Sequence, residues 1–232
     1  VSLEPDDFEL SISGGSANLS SSSPSSVTNS GTLTFLLNFS LNGLASGQEI
    51  LTVKPVVNSI FDSKGDQVDI SASQSNTVSL NDKQGPQIIE IKIKDQNKYI
   101  DVTFNEGIYG SVSPTSSVTS SSFILSQISG PKYDLKFDNI TTPSEGSLSG
   151  GEKTVRLNFS ALAIKPTGKE VYEISATNSS SVLDINGNKL INDKNSFQLK
   201  PPVSGNISTE RSILSVIPTD MIPDSKKIAK IR

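Results

Sequence analysis

The chain has no cysteine, no histidine and no tryptophan. Without cysteine there is neither a disulfide framework nor a thiol nucleophile. Without histidine and cysteine, a conventional zinc, copper or haem site has almost no ligands left. Ser-His-Asp and Cys-His catalysis are impossible with these residues. Aromatic residues make up 6% of the chain, only four of them tyrosine, so stacking surface for sugars is scarce. Basic residues form no stripe; the net charge is −4 and the pI about 5.0, which points away from nucleic acid. No apolar run approaches the roughly 18 residues that a membrane span needs, so no span is expected. Hard cations held by oxygen ligands survive these exclusions.

What the chain does have is serine, β-forming apolar residues and a repeat. Apolar content is 34%, mostly Val, Ile, Leu and Phe, the types that fill half-buried sheets. Phe8-Glu9-Leu10-Ser11-Ile12-Ser13-Gly14 returns as Phe123-Ile124-Leu125-Ser126-Gln127-Ile128-Ser129-Gly130. Leu37-Asn38-Phe39-Ser40 returns as Leu157-Asn158-Phe159-Ser160, and Gly47-Gln48-Glu49 as Gly168-Lys169-Glu170. Phe61-Asp62-Ser63-Lys64-Gly65-Asp66 returns as Leu183-Asp184-Ile185-Asn186-Gly187-Asn188. One unit of domain size is used twice. Val1 opens no signal peptide, which predicts either a processed chain or a window of a longer one.

Strands are predicted over 32–39, 50–57, 88–94, 99–104, 123–128, 133–137, 154–159, 171–176 and 196–199. In the third of these, Ile89, Ile91 and Ile93 are expected on one face and Glu90, Lys92 and Lys94 on the other. In the fourth, Ile100, Val102 and Phe104 should face a core. Residues 95–98 read as a hairpin loop. Sustained helical periodicity is absent, with short helical turns conceivable near Leu41 to Leu44 and at Leu162. The Ser-rich stretches 20–30 and 111–122 read as long exposed loops. Asn-x-Ser/Thr triplets begin at Asn18, Asn38, Asn139, Asn158, Asn178 and Asn206, about as many as this composition produces by chance.

The repeat is cut out of phase. Residues 85–122 carry the strands that open the second copy, and nothing corresponding precedes Phe8. Three segments follow: 1–85, a β-sandwich lacking its opening strands; 86–201, a complete one; and 202–232, a linker with opening-type strands. In the last, Ile213-Leu214-Ser215-Val216-Ile217 resembles Ile88-Ile89-Glu90-Ile91. Lys226-Lys227-Ile228-Ala229-Lys230-Ile231 loosely matches Lys98-Tyr99-Ile100-Asp101-Val102. The spare strands belong to a further unit, complete a neighbouring copy, or fold back.

Asn81-Asp82-Lys83-Gln84-Gly85-Pro86 and Tyr99-Ile100-Asp101-Val102-Thr103-Phe104-Asn105-Glu106-Gly107-Ile108-Tyr109 carry a family likeness. So do the turns Val182 to Leu190 and Ile60 to Val68, each built on Asp-x-x-Gly-Asp/Asn. They resemble the bacterial Ig-like repeats of surface-layer proteins and large adhesin stalks. The resemblance implies an all-β fold of tandem Ig-like antiparallel β-sandwiches, in an extracellular, cell-surface array that spaces or lattices other domains. It implies no reaction. Its partners would be copies of itself or neighbouring domains.

Both Asp-x-x-Gly turns are explained by turn chemistry, with glycine at positive φ and the aspartate bonding backbone N–H groups. The functional alternative is calcium, which needs six to eight oxygen ligands. Each turn supplies too few, so a site has to recruit from the junction: Asp62, Asp66, Asp82, Glu106 and Asp184 are the candidate ligands, and calcium the only cofactor left open. Lys54, Asn38 and Glu49 form the one trio suited to a Lys–Asn cross-link, against the simpler reading that Lys54 faces solvent. Twenty-four scattered acids single out no glycosidase pair, and no enzyme is expected. The readings carried forward are a structural spacer or lattice scaffold, a filament subunit joined by strand donation, and an accessory carbohydrate-binding module of a secreted enzyme.

Overall fold

Alternating β-branched and aromatic residues favour extended chain with one buried face. The computed structural model is all-β, with two 3-10 turns (Pro5–Asp7 and Ser120–Ser122) besides its strands. It describes residues 2–69, 76–160, 166–191 and 195–201. A first strand set holds β1 (Phe8–Ser13), β2 (Asn18–Leu19), β3 (Ser26–Asn29), β4 (Phe35–Asn38), β5 (Leu41–Asn42), β6 (Ile50–Pro55) and β7 (Thr77–Ser79). A second holds β8 (Ile88–Lys94), β9 (Tyr99–Ile108), β10 (Phe123–Ser129), β11 (Phe137–Thr141), β12 (Glu152–Phe159), β13 (Val171–Ala176) and β14 (Asn195–Gln198).

The two sets pair alike as far as they overlap. In the second, β11-β12-β9-β8 and β10-β13-β14 form two antiparallel sheets. In the first, β1-β6-β7 repeats the order of β10-β13-β14, and β3-β4 repeats β11-β12. Strands β2 and β5 add a small ribbon. Among the described residues the first set has no counterpart of β8 or β9.

That difference decides where the core is. In the second set Ile100, Val102, Phe104, Val155 and Leu157 from one sheet meet Phe123, Tyr172, Ile174 and Phe197 from the other. Phe197 stacks between Phe159 and Tyr172, with ring centroids 6.0 Å from each. On the outer face Arg156 grips the opposite Asp101 with two bonds of 2.8 and 3.1 Å and lies over the Tyr99 ring. In the first set Leu10, Ala17, Ala45 and Leu51, with Pro24, are the buried apolar residues among those described. Val78 holds the register position of Phe197, opposite Leu51 as Phe197 is opposite Tyr172, yet it is 56% exposed against 7%. Leu157 is fully buried beneath β9, whereas its repeat partner Leu37 is only half-buried.

Several expectations are corrected. Ile89 does not share the inward face of Ile91 and Ile93: a bulge between Ile88 and Glu90 turns it outward, 62% exposed, and buries Ile88. The strand expected over 133–137 begins only at Phe137, because a turn closes first with the Leu135 N–H donating to the Tyr133 carbonyl. Residues 41–42 form β5 and no helical turn, and β3 runs through the first Ser-rich stretch, paired with β4. Ile100, Val102 and Phe104 do face the core. Leu162, Ile213 to Ile217 and Lys226 to Ile231 lie outside the described residues.

Acids, two of them buried, anchor the strand entrances. A Ser/Thr-Gly-x-Glu sequence precedes or opens β6, β12 and β13, and its glutamate folds back onto its own loop. Glu49 accepts from the N–H groups of Ser46, Ser16 and Ala17 at 2.7–3.0 Å. Glu170 accepts from the N–H groups of Thr167, Gly168 and Lys169 at 3.0–3.2 Å. Glu152 does the same with Ser149 and Gly150. Gly14 and Gly130, at φ of +75° and +89°, let β1 and β10 pass against these loops, where a β-carbon would meet the backbone of residues 48 and 169. Burial alone would raise the Glu49 and Glu170 carboxyls, but the N–H donors outweigh it, holding Glu49 down at about 2 and Glu170 below its ordinary value.

Two predictions follow from this packing. In dilute solution Leu157→Ala should cost about 3 kcal/mol and Leu37→Ala less than about 1, since only the first opens a cavity in a closed core; urea melts read both. Glu170→Gln should cost on the order of 2 kcal/mol at neutral pH through weakened charged hydrogen bonds. The depressed pKa values place these carboxylates' stabilisation above the ordinary 4.5, to be lost as pH falls, for Glu49 toward about 2. The gap between Glu170→Gln and the parent should therefore shrink below pH 4.5.

Candidate metal centre at the junction

Residues 81–87 connect the two strand sets and are bonded to both. The N–H groups of Lys83 and Gln84 donate to the Ala45 carbonyl at 2.7 and 3.0 Å. On the other side the Ile191 N–H donates to the Pro86 carbonyl at 2.9 Å, and Asn188 Nδ2 to the Asp82 carbonyl at 3.2 Å. Gly85 is buried against Lys189, where any β-carbon would overlap a carbonyl. The connection has no slack.

This route brings three of the five sequence-predicted acids together. Asp82 comes from the connection, Glu106 from β9 and Asp184 from the turn after Leu183, which bridges to Tyr109. One carboxylate oxygen from each lies within 4.8 Å of the other two. Asp184 is fully buried; Asp82 and Glu106 are half-buried. Asp184 also closes its own turn, accepting from the Asn188 N–H at 2.7 Å and from Asn188 Nδ2 at 2.8 Å. Asp82 Oδ1 accepts from the Gln84 N–H at 2.9 Å, and Asn186 Nδ2 approaches its Oδ2 at 3.4 Å. Burial, followed by the charges of Asp82 and Asp184, pushes the Glu106 carboxyl up to about 7. A cleft of about 410 Å³ opens beside Asp82 and Glu106, with Ser16 and Ser46 on one wall and Asn105 and Lys153 on the other.

Asp62 and Asp66 stay apart from this cluster. Asp62 Oδ1 accepts from the N–H groups of Lys64 and Asp66 at 2.8 and 2.9 Å, so it does turn work alone, and both acids are exposed. The reason is the phase of the repeat. Asp62 is the partner of Asp184, but β9, which delivers Glu106, has no counterpart in the first set among the described residues. The cross-link trio is not assembled either: Lys54 is exposed opposite Glu9, Asn38 Nδ2 donates to Ser26 Oγ, and the Glu49 carboxylate is occupied by its loop. The buried glutamate loops were missed from sequence, although Ser/Thr-Gly-x-Glu recurs at 46–49, 149–152 and 167–170.

Three carboxylates so close repel one another, and a hard cation between them removes the repulsion while accepting carboxylate oxygens, with water filling its remaining positions. Asn188 and Asn186 orient the two aspartates from behind, as outer hydrogen bonds orient metal ligands. No protein-family model matches the chain, and neither a curated protein nor a solved structure does.

Calcium should raise the melting temperature by several degrees and a chelator should reverse the gain. In Glu106→Gln the calcium response should vanish while chelator-treated protein becomes no less stable than the parent, because a repelled charge has been removed. Scanning calorimetry with and without calcium reads both.

Proposed function

We propose that this chain is a structural, non-catalytic segment of an extracellular surface protein, in which tandem Ig-like β-sandwiches act as a spacer or lattice scaffold. The junction carries the reading. A connection bonded on both sides, with a buried glycine that leaves no room for a side chain, transmits orientation from one strand set to the next. Domains that merely share a chain are joined by slack linkers, and relative motion is then the default. A spacer works by geometry: its length and direction are set by the joints between units and by the sheet hydrogen bonds within them.

Calcium between Asp82, Glu106 and Asp184 fits the same purpose. A single ion there ties the connection to β9 and to the Asp184 turn, so the joint stiffens when the ion binds. The resemblance of the turns and of the Thr103-Phe104-Asn105-Glu106 strand end to bacterial Ig-like repeats supports the extracellular assignment, where calcium is abundant.

Small-angle scattering tests the joint. With calcium present the parent should behave as one stiff, elongated particle. Gly85→Val, which forces a side chain into the Lys189 carbonyl, should broaden the distribution of distances between the two strand sets while leaving the melting of the second set's core in place. A parent as loosely hinged as the variant would contradict the reading.

A further inference from the structure

The first strand set displays a sheet edge and half a core, and the second shows what belongs there. In the second set β12 is hydrogen-bonded on both sides, to β11 and to β9, and β8 follows outside β9. In the first set β4 has β3 on one side and no strand on the other among the described residues. The side chains that β9 would cover, Phe35, Leu37 and Phe39, are half-buried, and Val78 across from them is exposed. Such an edge with apolar side chains behind it takes up a strand readily.

We propose that residues 202–232 of a second copy of this chain close this face, adding two antiparallel strands beside β4 and joining copies head to tail. Four observations favour that occupant. The first is length: β8, its loop and β9 take residues 88–108, and the segment 202–232 is longer, at 31 residues. The second is pattern: Ile213 to Ile217 resembles the start of β8, and Lys226 to Ile231 loosely matches the start of β9.

The third is direction. The Leu80 N–H donates to the Glu49 carbonyl just before the chain passes into β8, and the Leu199 N–H donates to the Glu170 carbonyl at the matching place. Asn97, buried in the β8–β9 loop, then clamps Lys200 in both directions at 2.7 Å. The first set attaches at the opposite end of β8, next to Pro86. Residue 200 therefore sits at the end of β8 remote from its own first set.

The fourth is charge. Residues 1–85 hold nine acidic and three basic side chains, a net −6, while 202–232 hold five basic and three acidic, a net +2. Residues 86–201 are neutral, with twelve of each sign. The basic residues of the donor concentrate in residues 226–232, and the acidic surplus lies on the acceptor, so the encounter is steered. A donor on one end and an acceptor on the other make a heterologous contact, which propagates as a filament unless the rotation closes a ring.

The proposal goes beyond the spacer reading and does not depend on it. It is tested on the full chain by sedimentation over a wide concentration range. A donor variant, Val216→Asp with Ile228→Asp, and an acceptor variant, Leu37→Lys, are made alongside the parent. The parent should grow in mass with concentration, less so at high salt, and each variant alone should stay monomeric. An equal mixture of the two variants should stop at a dimer, since the acceptor variant's intact tail fills the donor variant's intact face. A synthetic peptide of residues 208–232 should bind the donor variant and raise the protection of its β4 amides. A parent that remains monomeric throughout overturns the proposal, whether its tail folds back or stays unbound. So does a donor variant that assembles like the parent. Neither result touches the stiff junction, which scattering reads separately.

Discussion

The antiparallel pairing of β9 with β12 is the contact on which the rest depends. It seals Leu157, Val155, Ile100 and Val102 from water, aligns Asp101 with Arg156 on the outside, and carries Glu106 to the junction. Where it is present there is a closed core with stacked rings. Where it has no counterpart among the described residues, the same Leu-Asn-Phe-Ser sequence lies half open. Nearly identical residues thus have different energetic value, because burial belongs to the pair of sheets and not to either strand.

The acids divide by the same logic. Glu152 and Glu170 face N–H donors supplied by their own loops, and Glu49 faces one from its own loop and two from the turn after β1, so backbone donors satisfy all three where strands β6, β12 and β13 begin. Asp82, Glu106 and Asp184 face one another, brought together by three separate elements, and a proton on Glu106 or a cation among the three relieves their repulsion. Local acids stabilise the fold; convergent acids offer a site. Asp62 shows the first role in isolation, and Asp184 holds both.

Much of this was legible in the sequence because a repeat supplies its own control. The phase of Phe8 against Phe123 points to a first unit without opening strands, and the described residues hold none; the shortage of ligands within either turn points to Glu106 or Asp82 from the junction. What escaped was local. Ile89 sits on the wrong face because a bulge shifts the period, which alternation cannot reveal. Strand β3 hides in serine because its partner β4, and not its own side chains, holds it extended. Asp62 and Asp66 were grouped with the junction acids on the strength of a shared turn motif. The motif fixes the turn; the neighbouring strand that makes a site of it lies far away in sequence.

β12 is sheltered by β9, and β4 has no such shelter among the described residues. Hydrogen–deuterium exchange at low protein concentration measures this directly. The amides of residues 154–158 should exchange slowly, near the rate set by global unfolding, while those of residues 35–38 should exchange orders of magnitude faster. Equal, strong protection of the two strands in a monomer would show that β4 is already covered, and would contradict the account.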